Sequence, residues 1–165
     1  MALNDITLGS SSLSSNSSVE LKVQDRTSSS ESRAMVVGDP VKISGAESGN
    51  YALLMATGDP EIGTDIALGF CTSASTETAT ADGTVMVHLF KPGELYKCKA
   101  TDSANLATGI LFDTVTFDLT SETFTVDENE GSDENVHGLR IMSYDADGYV
   151  YFIVKSGATY LNDLV

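Results

Sequence analysis

Two histidines, two cysteines and 24 carboxylates are the side chains from which this 165-residue chain could build acid–base, nucleophilic or metal chemistry. A histidine base needs a nucleophile held on a sharp turn, and no Gly-x-Ser-x-Gly elbow occurs. His88 falls in the alternating string VMVHLF, where a strand-face or subunit contact accounts for it. Paired carboxylates could hydrolyse a glycosidic bond if two stood across a sugar, but the chain has no tryptophan and few aromatic residues to line such a cleft. The densest acidic run, DENEGSDE at 127–134, offers Asp127, Glu128, Glu130, Asp133 and Glu134 as oxygen ligands for a hard cation. It lacks EF-hand spacing, and DADG at 145–148 keeps only a fragment of that pattern while doubling as a hairpin turn. The run therefore reads as a solvated loop; a cation-dependent enzyme would need its acids to converge with His137. Neither a Walker loop nor a dinucleotide fingerprint is present. The expectation is a protein with no catalytic, cofactor-binding or metal-ligating residues, working by contact and not as an enzyme.

Cys71 and Cys98 lie in alternating apolar segments, without the close pairing of a zinc or redox motif. They read as small buried hydrophobes, with a bridge between neighbouring strands as the alternative. The net charge of −15 repels phosphate, so nucleic acid is not an expected partner. Residues 101–165 carry twelve acids and two bases, the strongest imbalance in the chain. The opening MALNDITLGS has no basic n-region, and the longest apolar run, YALLMA, is far below a membrane span. Synthesis in a cytosol, with no membrane partner, is the expectation.

The elements that must position these residues are strands. Residues 1–33 contain eleven serines and read as an extended arm, because such a composition buries too little apolar area to offset ordering entropy. Within the arm VELKV alternates, with Val19, Leu21 and Val23 on one side. Ordering it costs about as much as three aliphatic side chains and a few hydrogen bonds return, so it needs a sheet edge, on its own domain, a sister subunit or another protein. From residue 34 onward the period is two, in about ten short strands punctuated by Gly38-Asp39-Pro40, Gly58-Asp59-Pro60, Asp82-Gly83, Pro92-Gly93 and Asp147-Gly148. IMSYDADGYVYFIV carries the strongest hairpin signal, with a type I′ turn expected at Asp-Gly. The class is all-β. Two lobes are expected, with a boundary near 99–109; a single β-domain completed by the later strands is the alternative. Large residues on both faces of VMVHLF and YVYFIV fit either cover by both lobes or a subunit interface, and Met86, His88, Phe90, Tyr149 and Tyr151 are the candidates for that interface.

VGDPVKISG, DIALGF, TETATADGTVMVHLF and KPGELYKCKAT together resemble the core of tailed-bacteriophage capsid decoration proteins, also called cement or head-stabilising proteins. The resemblance covers residues 36–101, and VTFDLTSETFTVDE with GLRIMSYDADGYVYFIV looks like a C-terminal extension. It implies a small β-barrel or β-tulip-like module at 34–101, preceded by the arm at 1–33 and followed by a second, acidic β lobe at 102–165. It also implies a place on the outer capsid surface of a virion, at capsomer junctions, stabilising the head against internal DNA pressure. The partners it implies are the major capsid protein and further copies of the chain, commonly as a homotrimer and sometimes a dimer. Capsid or subunit contacts by the arm would fall on Leu13, Val19, Leu21 and Val23. A virion tail or fibre subunit and a carbohydrate-binding adhesion module are the competing readings.

Overall fold

The computed structural model describes residues 7–8, 18–43 and 51–159, and the chain is mostly β. Leu13 lies outside the described residues. The first sheet contains β2 (Ser18–Val23), β3 (Pro40–Ile43), β4 (Ala52–Leu54), β5 (Ala67–Cys71) and β6 (Gly83–Leu89), in the order β2-β6-β5-β3-β4. All its pairings are antiparallel. β5, ALGFC, is buried along its whole length, as its unbroken apolar run requires of a central strand. At Gly69 any Cβ would stand 2.0 Å from the His88 carbonyl oxygen, so glycine is what lets β5 and β6 approach there. The edge strands β2 and β4 approach each other without pairing, so the sheet curls but no closed barrel forms among the described residues.

The second sheet assembles β1 (Thr7–Leu8), β7 (Tyr96–Lys99), β8 (Thr114–Val115), β11 (Leu139–Tyr144) and β12 (Tyr149–Val154), in the order β1-β7-β12-β11-β8. β9 (Phe117–Thr120) and β10 (Thr123–Val126) form a separate hairpin. A turn at Lys91–Glu94, with Gly93 at φ 76°, separates β6 from β7 and carries the chain from one sheet to the other. β7 then pairs with β12, from Tyr149↔Lys99 to Phe152↔Tyr96. The second sheet thus draws strands from both sides of the boundary expected near 99–109, and one buried cluster runs through both sheets. Alternation reveals which face of a strand is apolar, but not which strand will lie beside it.

Aromatic rings mark the path of that core. Phe70 of β5 lies 5.9 Å from Phe90, which meets Tyr96 of β7 edge-on at 4.8 Å. Phe152 of β12 follows at 6.1 Å, Phe117 of β9 at 5.7 Å from it, and Phe124 of β10 at 6.4 Å from Phe117. Three of these five contacts are edge-to-face, and such pairs add roughly 0.5–1.5 kcal/mol each beyond their buried area. The β11–β12 hairpin turns at Asp145–Gly148, where Gly148 takes φ 81° and its N–H donates to the Asp145 carbonyl. Only Gly148, and not Asp147, is left-handed in that turn, so it is not the expected type I′ turn at Asp147-Gly148. The Asp145 carboxylate accepts from the N–H groups of Asp147 and Tyr149 and takes over the turn.

Candidate contact surfaces

The arm strand has a home on the chain's own sheet. β2 pairs with β6 over six residues, from Ser18↔His88 to Val23↔Gly83. Val23 is buried, Val19 and Leu21 are half-buried, and Glu20 and Lys22 face water. Residues 18–23 therefore belong to the first sheet, and of the three sheet edges open to this strand it takes the one on its own chain. A one-turn helix, α1 (Arg26–Ser29), follows, capped by Asp25 through the Ser28 N–H.

The end of the arm is locked by a buried ion pair. Arg33 holds both oxygens of Asp39, at 2.5 and 2.9 Å, and also donates to the carbonyls of Ala34 and Glu122. Asp39 is fully buried and accepts a further bond from the Val36 N–H at 2.8 Å. The bond to Asp39 holds the guanidinium above its ordinary pKa against the opposing effect of burial. Glu122 lies at the tip of the β9–β10 hairpin, so one guanidinium joins the arm, the first Gly-Asp-Pro turn and that hairpin.

The second Gly-Asp-Pro turn repeats the first as far as its aspartate, beyond which the Asp59–Pro60 peptide bond is cis and Asp39–Pro40 is not. Gly38 and Gly58 take φ 91° and 93°; Asp39 N–H donates to Val36 O and Asp59 N–H to Ala56 O, both at 3.1 Å. Each turn docks by the same pair of bonds. Gly38 N–H donates to Cys71 O and Cys71 N–H to Asp39 O; Gly58 N–H donates to Phe117 O and Phe117 N–H to Asp59 O. The Asp59 carboxylate caps the Ala56 N–H at 2.6 Å, as Asp39 caps Val36. Its counter-charge is Lys42, 2.9 Å away and shared with Asp65 at 2.6 Å. Burial alone would lower the Lys42 ammonium, but the bonds to Asp59 and Asp65 outweigh it and hold it above its ordinary value.

Of the residues expected at a subunit interface, Phe90 is fully buried within the aromatic core, which removes it from any outer surface. Phe90 is the residue after β6, and its N–H still donates to the Leu68 carbonyl, which holds its ring over the core. His88 is buried against Phe70, with ring centroids 5.1 Å apart; its Nε2 has no hydrogen-bond partner and Glu94 Oε2 stands 3.7 Å away. That carboxylate accepts from the Tyr96 hydroxyl at 2.5 Å. Burial, then the bond to Glu94, pushes the Tyr96 phenol far up. Met86 is half-buried. Tyr149 and Tyr151 are half-buried on the wet face of β12, where Lys97 and Lys99 of β7 stand 4.8 and 3.8 Å from the Tyr149 ring centre. The Tyr151 hydroxyl donates to Asp145 at 3.1 Å.

The acidic run folds back on its own loop. Asp127 caps the Asn129 N–H and Asp133 the Asn135 N–H. Glu128 is buried and accepts from the N–H groups of Thr101 and Asp102 and from the Asn105 amide. Glu130 takes the Thr116 hydroxyl and faces His137 Nε2 at 3.5 Å, while His137 Nδ1 lies 3.0 Å from the Thr114 carbonyl, which makes that nitrogen the N–H donor. Glu134 binds Arg140 and Lys155. Of the five acids, only Glu130 meets His137, and no group of three or more metal-type side chains converges among the described residues. Cys71 and Cys98 are buried thiols on β5 and β7 that form no disulfide, and the Cys98 thiol donates to the Phe124 carbonyl at 3.5 Å.

Residue patterning did not single out Phe112. Asp113 N–H donates to Ile110 O, closing a turn in which Leu111 takes φ −63°, ψ 129° and Phe112 takes φ 70°. This is a type II turn with phenylalanine where glycine or asparagine is usual, at a cost on the order of 1 kcal/mol or more. The ring is 60% exposed. A nearby segment of chain supplies Leu106, which with Ser103, Tyr144, Asp145, Ala146 and Gly148 lines an open cleft of about 310 Å³. Among the described residues no helix is long and apolar enough to cross a membrane. Comparison with protein-family models, with curated proteins and with solved structures finds no match to this chain.

Proposed function

We propose that this chain is a non-enzymatic capsid decoration protein. It binds the outer surface of a phage head at capsomer junctions and opposes their separation under internal DNA pressure. The observation that carries the reading is the position of β2: the strand at the end of the serine-rich segment is the outermost strand of a curled five-stranded sheet. An edge strand offers unpaired backbone N–H and C=O groups to a further strand, and strand addition fastens one protein to another without chemistry. The curled sheet is also the element from which a β-tulip-like module would be built. Many weak contacts per particle suffice for retention, because a lattice presents its sites at high effective concentration. The partners are the major capsid protein and further copies of this chain, as a trimer or a dimer, with Tyr149, Tyr151 and Met86 available for subunit contact. The acidic residues after position 101 suit an exterior location, away from packaged DNA.

Adding purified protein to undecorated shells tests the proposal. It predicts saturable binding and a rise in the temperature at which shells break, with a protein truncated before Ser18 binding more weakly. Shells that neither bind the protein nor gain stability reject the reading.

One observation favours a second reading, a carbohydrate-binding adhesion module. The cleft beside the β11–β12 hairpin is lined by Tyr144 and Leu106 together with Ser103 and Asp145, apolar and polar residues in one concavity such as a sugar needs. Glycan-array binding lost in Tyr144→Ala would establish it over the first.

A further inference from the structure

Phe112 and Val136 are two of the three large apolar side chains that the described surface exposes, at 60% and 37%. Phe112 is the most exposed of the three. The Phe112 N–H donates to Ile141 O and the Ile141 N–H to Asp113 O, which ties the turn to β11. An aromatic ring held outward on a left-handed backbone gains nothing from the chain's own core, while glycine or asparagine would hold the same turn without strain.

The surroundings are acidic. Asp113 follows the ring directly, and the loop bearing Asp127, Glu130 and Asp133 packs along residues 114–116, through Thr114 N–H to Ser132 Oγ and Asp127 N–H to Thr116 O. Arg140 and Lys155, the two bases after residue 101, are both held by Glu134.

We propose that Phe112 is an anchor that inserts into an apolar pocket rimmed by lysine or arginine on a partner protein. Resting on the head-binding reading above, that partner is the capsid shell. An aromatic side chain filling a partner's pocket inside a polar collar is the arrangement of an interface hot spot. The collar selects the partner. A second copy of this chain would bring acid against acid, and an anionic membrane would repel the same surface, whereas a basic rim is attracted to it.

The test compares wild type, Phe112→Gly and Phe112→Asn for binding to empty shells assembled from major capsid protein alone, at low and high NaCl. Both substitutions tolerate the left-handed backbone. The expected result is binding weakened by about 30-fold or more in each variant, as loss of a hot spot produces. The thermal midpoint stays unchanged or rises by about 2–4 °C as strain is relieved. Wild-type binding weakens as salt rises. Unchanged shell binding in both variants overturns the anchor while leaving head binding intact. Lost binding with a thermal midpoint lowered by several degrees also overturns it, because Phe112 is then a structural residue. Salt-independent binding removes the basic rim. Phe112-dependent attachment to neutral phosphatidylcholine vesicles, or a Phe112-dependent dimer in sedimentation, replaces the partner with lipid or a second copy and overturns the proposal. A wild type that ignores the shells rejects the head-binding reading, and this partner with it.

Discussion

At Val36–Asp39 and at Ala56–Asp59 the backbone makes the same turn and the same docking bonds, and each aspartate caps the same amide, yet the counter-charges differ. Asp39 receives the two-pronged guanidinium of Arg33, while Asp59 shares the single ammonium of Lys42 with Asp65. The first pair is the more deeply buried and reaches as far as the β9–β10 hairpin; the second ties β3 to its neighbouring loop. A planar fork can satisfy a fully desolvated carboxylate and still have donors for two carbonyls, whereas an ammonium is a point charge that tolerates a wetter, shared site. The same three residues thus build a long-range clamp in one place and a local brace in the other.

Removing the clamp is the harshest way to break this comparison. Arg33→Ala leaves Asp39 buried without a counter-charge, and a loss of about 3–5 kcal/mol is expected, read as a lower urea midpoint at constant slope. Lys42→Ala should cost less, about 1.5–3 kcal/mol, because Asp59 keeps its amide bond and Asp65 is partly solvated. A pair of equal losses would dissolve the distinction between clamp and brace. Gly58→Ala isolates the turn itself: nothing lies within 4 Å of the added Cβ, so only the φ of 93° is strained, and about 1–2 kcal/mol should be lost with both ion pairs intact.

The smallest expected effect falls on Glu31, whose carboxyl feels both Arg33 and Lys42. Burial pushes it above the ordinary glutamate value, more than the Leu54 N–H and the two bases pull it down. The folded state therefore disfavours the ionised form, and this group's contribution to stability falls as pH rises from the ordinary value through the raised one. Glu31→Gln should match wild type below that window and exceed it above, in thermal midpoints followed from pH 4 to pH 8, and a parallel pair of curves would count against the assignment.

Much of the strand content was legible because half-buried strands must alternate: VELKV, PVKIS, GTVMVHLF, ELYKCKA and YVYFIV all became strands. Pairing was less legible. Nothing local in YKCK says that it will leave β6 for β12, fifty residues away, since that choice depends on the whole aromatic core. The burial of Phe90 and His88 was hidden for the same reason, as both pack against Phe70 on the neighbouring strand. Gly-Asp-Pro was readable as a turn, but the role of its aspartate depended on a base earlier in the chain, Arg33 for Asp39 and Lys42 for Asp59. Phe112 carried no signal, because a phenylalanine in a left-handed turn defies the preference by which turns are recognised.

Each large sheet conceals one thiol: Cys71 in the first, Cys98 in the second. Burial drives the Cys71 thiol far up, so little nucleophilic thiolate forms while the chain stays folded. An alkylating reagent applied in mild denaturant would therefore act as a two-position clock. Modification of both at one rate would mean that the sheets open together, and earlier modification of either would reveal which half of the molecule yields first.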